Sequence, residues 1–310
     1  MGRLDFCASF PYFFVYLCRN NRELKMKLSH IFAALATLLL FGCGSASKNN
    51  YNTDIVVSIE PLKFLVESIV GEDLAVKVLV PSGSSPETYE PTPKDLTALH
   101  DAKIVFSTGV IEFENILLDK LGDKSNIVGL DKDIDLIKSE CSHHHDGRSH
   151  SHGVDPHVWT SPKELRTMAR NMHTAIMQHY PDSTKYNNAY LALDSLLYNL
   201  DIECCARINS SSKKAFIIYH PALTYYARHY GLTQIAIEND GKEPSAKYIA
   251  QVIESTRQNN ITRLLYQIEF PRSVVEVIAN DMGVEPIQIN PLSANPVQFI
   301  KDVTHIITQE

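Results

Sequence analysis

Residues 183–207 read STKYNNAYLALDSLLYNLDIECCAR. Apolar or aromatic side chains recur at Tyr186, Ala189, Tyr190, Leu193, Leu196, Leu197 and Leu200, at spacings of three and four, which predicts a helix with one face buried along its length. Pro181 ends the helical pattern that begins at Pro162, and Asp182 or Ser183 can cap the new helix. On either side of this helical block the pattern changes to short apolar runs. Ile55–Ile59, Ala75–Val80, Ile104–Phe106 and Ile127–Leu130 read as buried parallel strands, each separated from the next by a helical pattern or a loop leading into one. After the block the rhythm repeats with Ala215–Tyr219, Gln234–Ile237, Leu264–Ile268 and Pro286–Ile289, and helices start near Ala222, Pro244 and Pro271. The expected fold is therefore α/β: two βα lobes with parallel four-stranded sheets, residues 54–181 and 210–310, joined by a long rigid helix over 182–209. A stiff connection limits hinge opening, and open α/β sheets bind ligands beyond the carboxyl ends of their strands. The chemistry is to be sought in the loops that face the interlobe cleft.

The 310 residues are 44% hydrophobic, enough for two ordinary cores. The formal net charge is −7. Removing residues 1–42, which hold five basic and two acidic residues, leaves 24 basic against 34 acidic and a net charge of −10. That balance excludes nucleic acid as a partner class. Residues 26–42 carry Lys27, the apolar run Ile31–Phe41 and the string Leu40-Phe41-Gly42-Cys43. This is the pattern of a lipoprotein signal peptide, with Cys43 taking the lipid and residues 43–53 forming a polar tether. The aromatic-rich residues 1–25 precede a complete signal and read as an over-called start. Cys141, Cys204 and Cys205 then remain as thiols; the last two read as small buried hydrophobes rather than a bridge, because neighbours on a helix point in different directions.

Three loops carry candidate metal ligands. The first, residues 81–93, is PSGSSPETYEPTP and offers Glu87. The second is Asp155-Pro156-His157-Val158-Trp159, and the third is His220-Pro221-Ala222, directly after a predicted strand. Two imidazoles and a carboxylate make a competent set for a borderline-soft cation such as zinc. Glu90 and Glu243 are alternative carboxylates whose plainer reading is stabilisation of a helix start or loop. Tyr89 and Trp159 read as packing residues beside the site. The segment 141–152, CSHHHDGRSHSH, adds His143, His144, His145, His150 and His152, an accessory tract with affinity for zinc, copper or nickel.

Four strings in order, SPETYEPTP (85–93), DPHVW (155–159), YHPALTYYARHYGL (219–232) and KEPSAK (242–247), together with the histidine-rich insert and Asn290-Pro291-Leu292, resemble the periplasmic zinc-uptake solute-binding proteins of metal ABC transporters. The resemblance runs over residues 54–310. It implies that His157 and His220 are metal ligands. In the manganese branch of the family the position of His220 is typically a glutamate, so a histidine there leans toward zinc. Two positions depart from the pattern: Glu87 stands where a histidine is usual, and Asn290 where an aspartate is usual. Exchanging an imidazole for a carboxylate hardens the site toward manganese or iron, yet leaves a two-histidine, one-carboxylate zinc set. Asn290 can coordinate weakly, hydrogen-bond a ligand, or leave the position to water or Glu269.

The expected function is capture of Zn2+, with Mn2+ as the alternative cargo, by a monomeric lipid-anchored protein on the periplasmic or cell-surface face of a bacterial membrane. Delivery is to an ABC transporter permease and its ATPase. Neither a P-loop nor a serine-nucleophile elbow is present, and no HExxH pair supports the competing reading of a secreted zinc hydrolase.

Overall fold

The computed structural model describes residues 53–119, 126–138, 153–238 and 245–309; Cys43 and the leader, the histidine-rich stretch 141–152 and Glu243 lie outside them. Within the described residues all eight expected strands form. β1 (Ile55–Val57), β2 (Val76–Val78), β3 (Ile104–Ser107) and β4 (Ile127–Gly129) make a parallel sheet in the order β2-β1-β3-β4. β5 (Ala215–Ile218), β6 (Thr233–Ala236), β7 (Arg263–Gln267) and β8 (Glu285–Ile289) repeat that order as β6-β5-β7-β8. In each sheet the first strand is flanked by its second and third, so the winding reverses there, and the loops leaving that strand border a natural crevice.

The helices are α1 (Glu60–Val70), α2 (Pro93–Asp101), α3 (Glu112–Asp119), α4 (Pro162–His179), α5 (Thr184–Ser210), α6 (Thr224–Tyr230), α7 (Ala246–Gln258), α8 (Arg272–Met282) and α9 (Pro296–Thr308). Their starts are encoded locally. Proline occupies the first turn of α1, α2, α4 and α9, where no backbone donor is needed. The Ser183 hydroxyl accepts from the Tyr186 amide at the start of α5, so of the two candidate caps serine is used.

The 27 residues of α5 span about 40 Å. Its buried stripe is Tyr186, Leu193, Leu197, Leu200, Cys204 and Ile208. Leu196, expected on that stripe, is instead 44% exposed, because it lies a turn's fraction to one side of Leu197 and Leu200. Cys204 is buried and Cys205 exposed, so the reading of small buried hydrophobes holds for Cys204 only. About 100° separates neighbours on a helix, which sends the two thiols to different surroundings.

The α5 stripe lies within one continuous apolar core. That core takes Val57, Phe106 and Leu65 from the first half, and Phe216, Ile218, Tyr226 and Ile300 from the second. A smaller cluster, with Ile217, Leu264, Tyr266, Val275 and Ala279, packs the opposite face of the second sheet. Alternation along β5 sends Phe216 and Ile218 to the shared core and Ile217 to the smaller one. Polar ties cross between the halves as well: the Tyr225 hydroxyl donates to the Asp155 carbonyl at 2.8 Å, and the Trp159 indole N–H donates to the Pro291 carbonyl at 3.0 Å. Residues 52–310 accordingly form one compact unit.

Candidate metal centre

The first loop leaves the sheet after Leu79 and Val80, whose amides still donate to the carbonyls of Val57 and Ser58. From Pro81 to Thr92 it has neither helix nor strand. Two anchors flank Glu87: its own amide donates to the Ser85 hydroxyl, and the Tyr89 ring packs edge-on against Phe113 at 5.3 Å. The Tyr89 hydroxyl also donates to Asp95, which receives Thr92 and Lys77 too. Tyr89 is thus a packing residue, as expected, and it fastens the carboxylate loop to α2 and α3.

His157 precedes a short 3-10 turn, Val158–Thr160. Asp155 Oδ1 accepts from both the backbone amide and the Nδ1 of His157, at 2.9 and 3.0 Å. His220 follows β5 and is clamped by Gln267, whose side-chain oxygen accepts from its amide and whose nitrogen donates to its carbonyl. Its Nδ1 meets Glu238 Oε2 at 3.0 Å. An ionised carboxylate can only accept, so each histidine keeps a proton on Nδ1 and turns Nε2 inward as the atom that takes a metal ion or, without one, a second proton.

Both Nε2 atoms point at the same place, and so does Glu87. The Nε2 atoms of His157 and His220 are 3.4 Å apart, while Glu87 Oε1 is 3.6 Å from the first and 3.2 Å from the second. A tetrahedral ion with bonds of about 2.1 Å requires neighbouring donors ~3.4 Å apart. Glu87, His157 and His220 are the one group among the described residues whose donor atoms converge in this way. Three acceptor atoms this close repel one another unless a cation or proton lies between them. The protonation equilibria carry the same information. Burial disfavours a charged His220, but hydrogen bonds and charge from Glu238 and Glu87 overcome it and raise its pKa to about 10. The His220 hydrogen bond in turn holds the Glu87 carboxyl below its ordinary value, against the effect of burial. The donor set, its spacing and its demand for positive charge all fit a zinc ion.

The other residues singled out in the sequence fall elsewhere. Glu269 lines the same cleft but is not in the converging group, and burial raises its pKa. Asn290 spends its side-chain oxygen on the Leu292 amide at 3.0 Å. Glu90 is exposed and outside the group. Trp159 lies beside His157, with ring centroids 5.4 Å apart. Asp155, Glu238 and Gln267 were not recognised as parts of the site. Asp155 stands two residues before His157 in the string DPHVW, and Glu238 follows β6, the neighbour of the strand that delivers His220; only the pairing of those strands reveals the latter.

The family described as zinc-uptake complex component A, periplasmic, matches residues 55–308. The chain belongs to that family. Among its relatives, the zinc-binding lipoprotein AdcA of Streptococcus pneumoniae is 28% identical over 284 residues, covering 86% of this chain and 56% of AdcA. The chain thus spans about half the length of the AdcA relatives it matches. The high-affinity zinc uptake system protein ZnuA of Bacillus subtilis is 28% identical over 86% of this chain and 89% of its own length. A crystal structure of ZnuA superposes with a TM-score of 0.74 at 31% identity, covering 83% of this chain and 98% of that one. These relatives are named for zinc.

Proposed function

We propose that the protein captures a zinc ion between Glu87, His157 and His220 and hands it to an ABC transporter permease driven by its ATPase. The observation that carries this reading is the convergence of two imidazole Nε2 atoms and one carboxylate oxygen at the spacing of a tetrahedral ion. Asp155 and Glu238 hold the two rings in the required tautomer and strengthen them as donors. Glu269 and Asn290 are not needed for the three-donor set. The lobes 54–181 and 210–310, joined by the 182–209 helix, close on the ion as a nearly rigid body, since one apolar core runs through both. The protein works as a monomer, catalyses no reaction, and stays at the periplasmic or cell-surface side of a bacterial membrane through a lipid on Cys43. No helix among the described residues is long and apolar enough to cross a membrane. The histidines of 141–152 act as an accessory collector.

Calorimetric titration of metal-free protein lacking residues 141–153 tests the assignment. One tight zinc site, with manganese much weaker and with His157→Ala and His220→Ala each abolishing it, is the expected result. Unchanged affinity in both point variants would sink the ligand set.

A further inference from the structure

The cleft at the metal centre is larger than an ion requires. Its volume is about 390 Å³, within the range of roughly 300–1,000 Å³ that small-molecule sites occupy, whereas a water molecule fills about 30 Å³ of liquid. Its walls are chemically divided. Beside the donors stand two aromatic rings, Trp159 next to His157 and Phe270 at 6.2 Å from His220, with Pro291 and Leu292 continuing the apolar surface. The charged lining is all acidic apart from the two histidines: Glu87, Glu238 and Glu269, with no lysine or arginine among the described residues that line the cleft. Such a wall repels an anionic chelator and accepts a flat, neutral nitrogen donor.

The carboxylates show a second pattern. Asp155 backs the His157 ring and Glu238 backs the His220 ring. Glu269 lines the same cleft and backs neither ring. The side-chain oxygen of Asn290, also expected to reach the ion, is committed to Leu292. Three protein donors leave one position of a tetrahedral ion to be completed from elsewhere.

We infer that the cleft receives zinc together with a small imidazole-type ligand, which donates one ring nitrogen to the ion and its N–H to Glu269 while its face lies on Phe270 and Trp159. The inference rests on the three-donor reading above. The protein then selects a zinc–imidazole complex, zinc carrying one neutral imidazole ring, over the hydrated ion or zinc citrate.

Cobalt(II) is a visible reporter for a zinc site and allows a direct test on the mature full chain, with His143, His144, His145, His150 and His152 changed to serine in a parallel sample so that the chain's own tract cannot supply the ring. With one equivalent of cobalt bound, added imidazole or histidine should shift the absorption spectrum saturably, at one ligand per metal and with the metal retained, in both samples. Citrate should give no such mixed complex. Phe270→Ala should weaken imidazole binding about fivefold, as expected for the loss of an aromatic contact, and Glu269→Gln should weaken it without releasing cobalt. A retained cobalt spectrum that imidazole leaves untouched overturns the proposal while the metal site stands. A citrate complex as tight as the imidazole one overturns the charge argument and the proposal with it. A cobalt spectrum indifferent to His157→Ala shows that the metal site itself was misassigned, and both readings fall.

Discussion

His157 is 7% exposed and the Glu87 side chain 43% exposed, although their donor atoms lie 3.6 Å apart. The histidine half of the site is built like a core. Each ring is fixed by a carboxylate, His220 is also clamped through its backbone by Gln267, and both sit where strands or a tight turn meet the shared apolar interior. The carboxylate half is built like a surface. Glu87 rides on a twelve-residue loop, 81–92, without helix or strand, tied down through Ser85 and Tyr89. Donors that need not reorganise bind their ion more tightly, because the ordering cost has already been met in folding. The difference therefore assigns affinity to the histidine half, and adjustment, on the way in and out, to the loop.

Removing a histidine is the strongest way to break this comparison. His220→Ala or His157→Ala should lower zinc affinity by more than the roughly 100-fold that outer partners of a metal ligand command. Competition with a chromophoric zinc chelator reads the loss, and a variant that keeps its affinity would show that the rigid half is not the anchor.

Next in size are the carboxylates behind the rings. Glu238→Gln and Asp155→Asn keep the shape but replace an obligate acceptor by an amide that can donate to Nδ1, leaving the proton on the nitrogen that faces the ion. The expected cost is about 10–100-fold in zinc affinity. An effect below twofold would mean that the rings are held by packing alone. Glu87→Gln should cost less, about tenfold, because it keeps an oxygen donor and loses only charge in a position open to water. If Glu87→Gln proved more damaging than Glu238→Gln, the loop would have to be counted with the rigid half.

How much of this could be read in the sequence divides along the same line. The strands were legible because parallel strands covered on both faces are continuous apolar runs, and the connecting helix because its stripe recurs at three and four. His157 and His220 were legible because each stands in a proline-flanked string, His220 directly after a predicted strand. Glu238 and Gln267 were not: each reaches His220 only because β5 lies between β6 and β7, and strand order is a long-range outcome that no local pattern states. Leu196 shows the limit of periodicity, since spacing alone assigns a residue at the margin of a stripe to either side. Asn290 shows that an amide oxygen near a site competes with its own backbone, and here the Leu292 amide wins.

The smallest effect is a pH dependence of the metal-free protein. Glu238 and Glu87 raise His220 from its ordinary value near 6.5 to about 10 in the folded state. A raised basic group stabilises the fold fully below the unfolded value and loses that contribution as pH climbs through the folded one, so metal-free protein should lose stability between about pH 6.5 and 10. Other groups titrate in that window too, which makes the difference from Glu238→Gln the informative quantity: the variant lacks the chief hydrogen bond that raises His220 and should show a shallower decline in melting temperature. Zinc-loaded protein should show a shallower decline as well, because the ion takes the place of the proton between Nε2 and Glu87. Parallel declines in all three would mean that the charge shared by His220 and its two carboxylates contributes nothing to folding, and that the histidine half owes its rigidity to packing rather than to the ion pairs behind it.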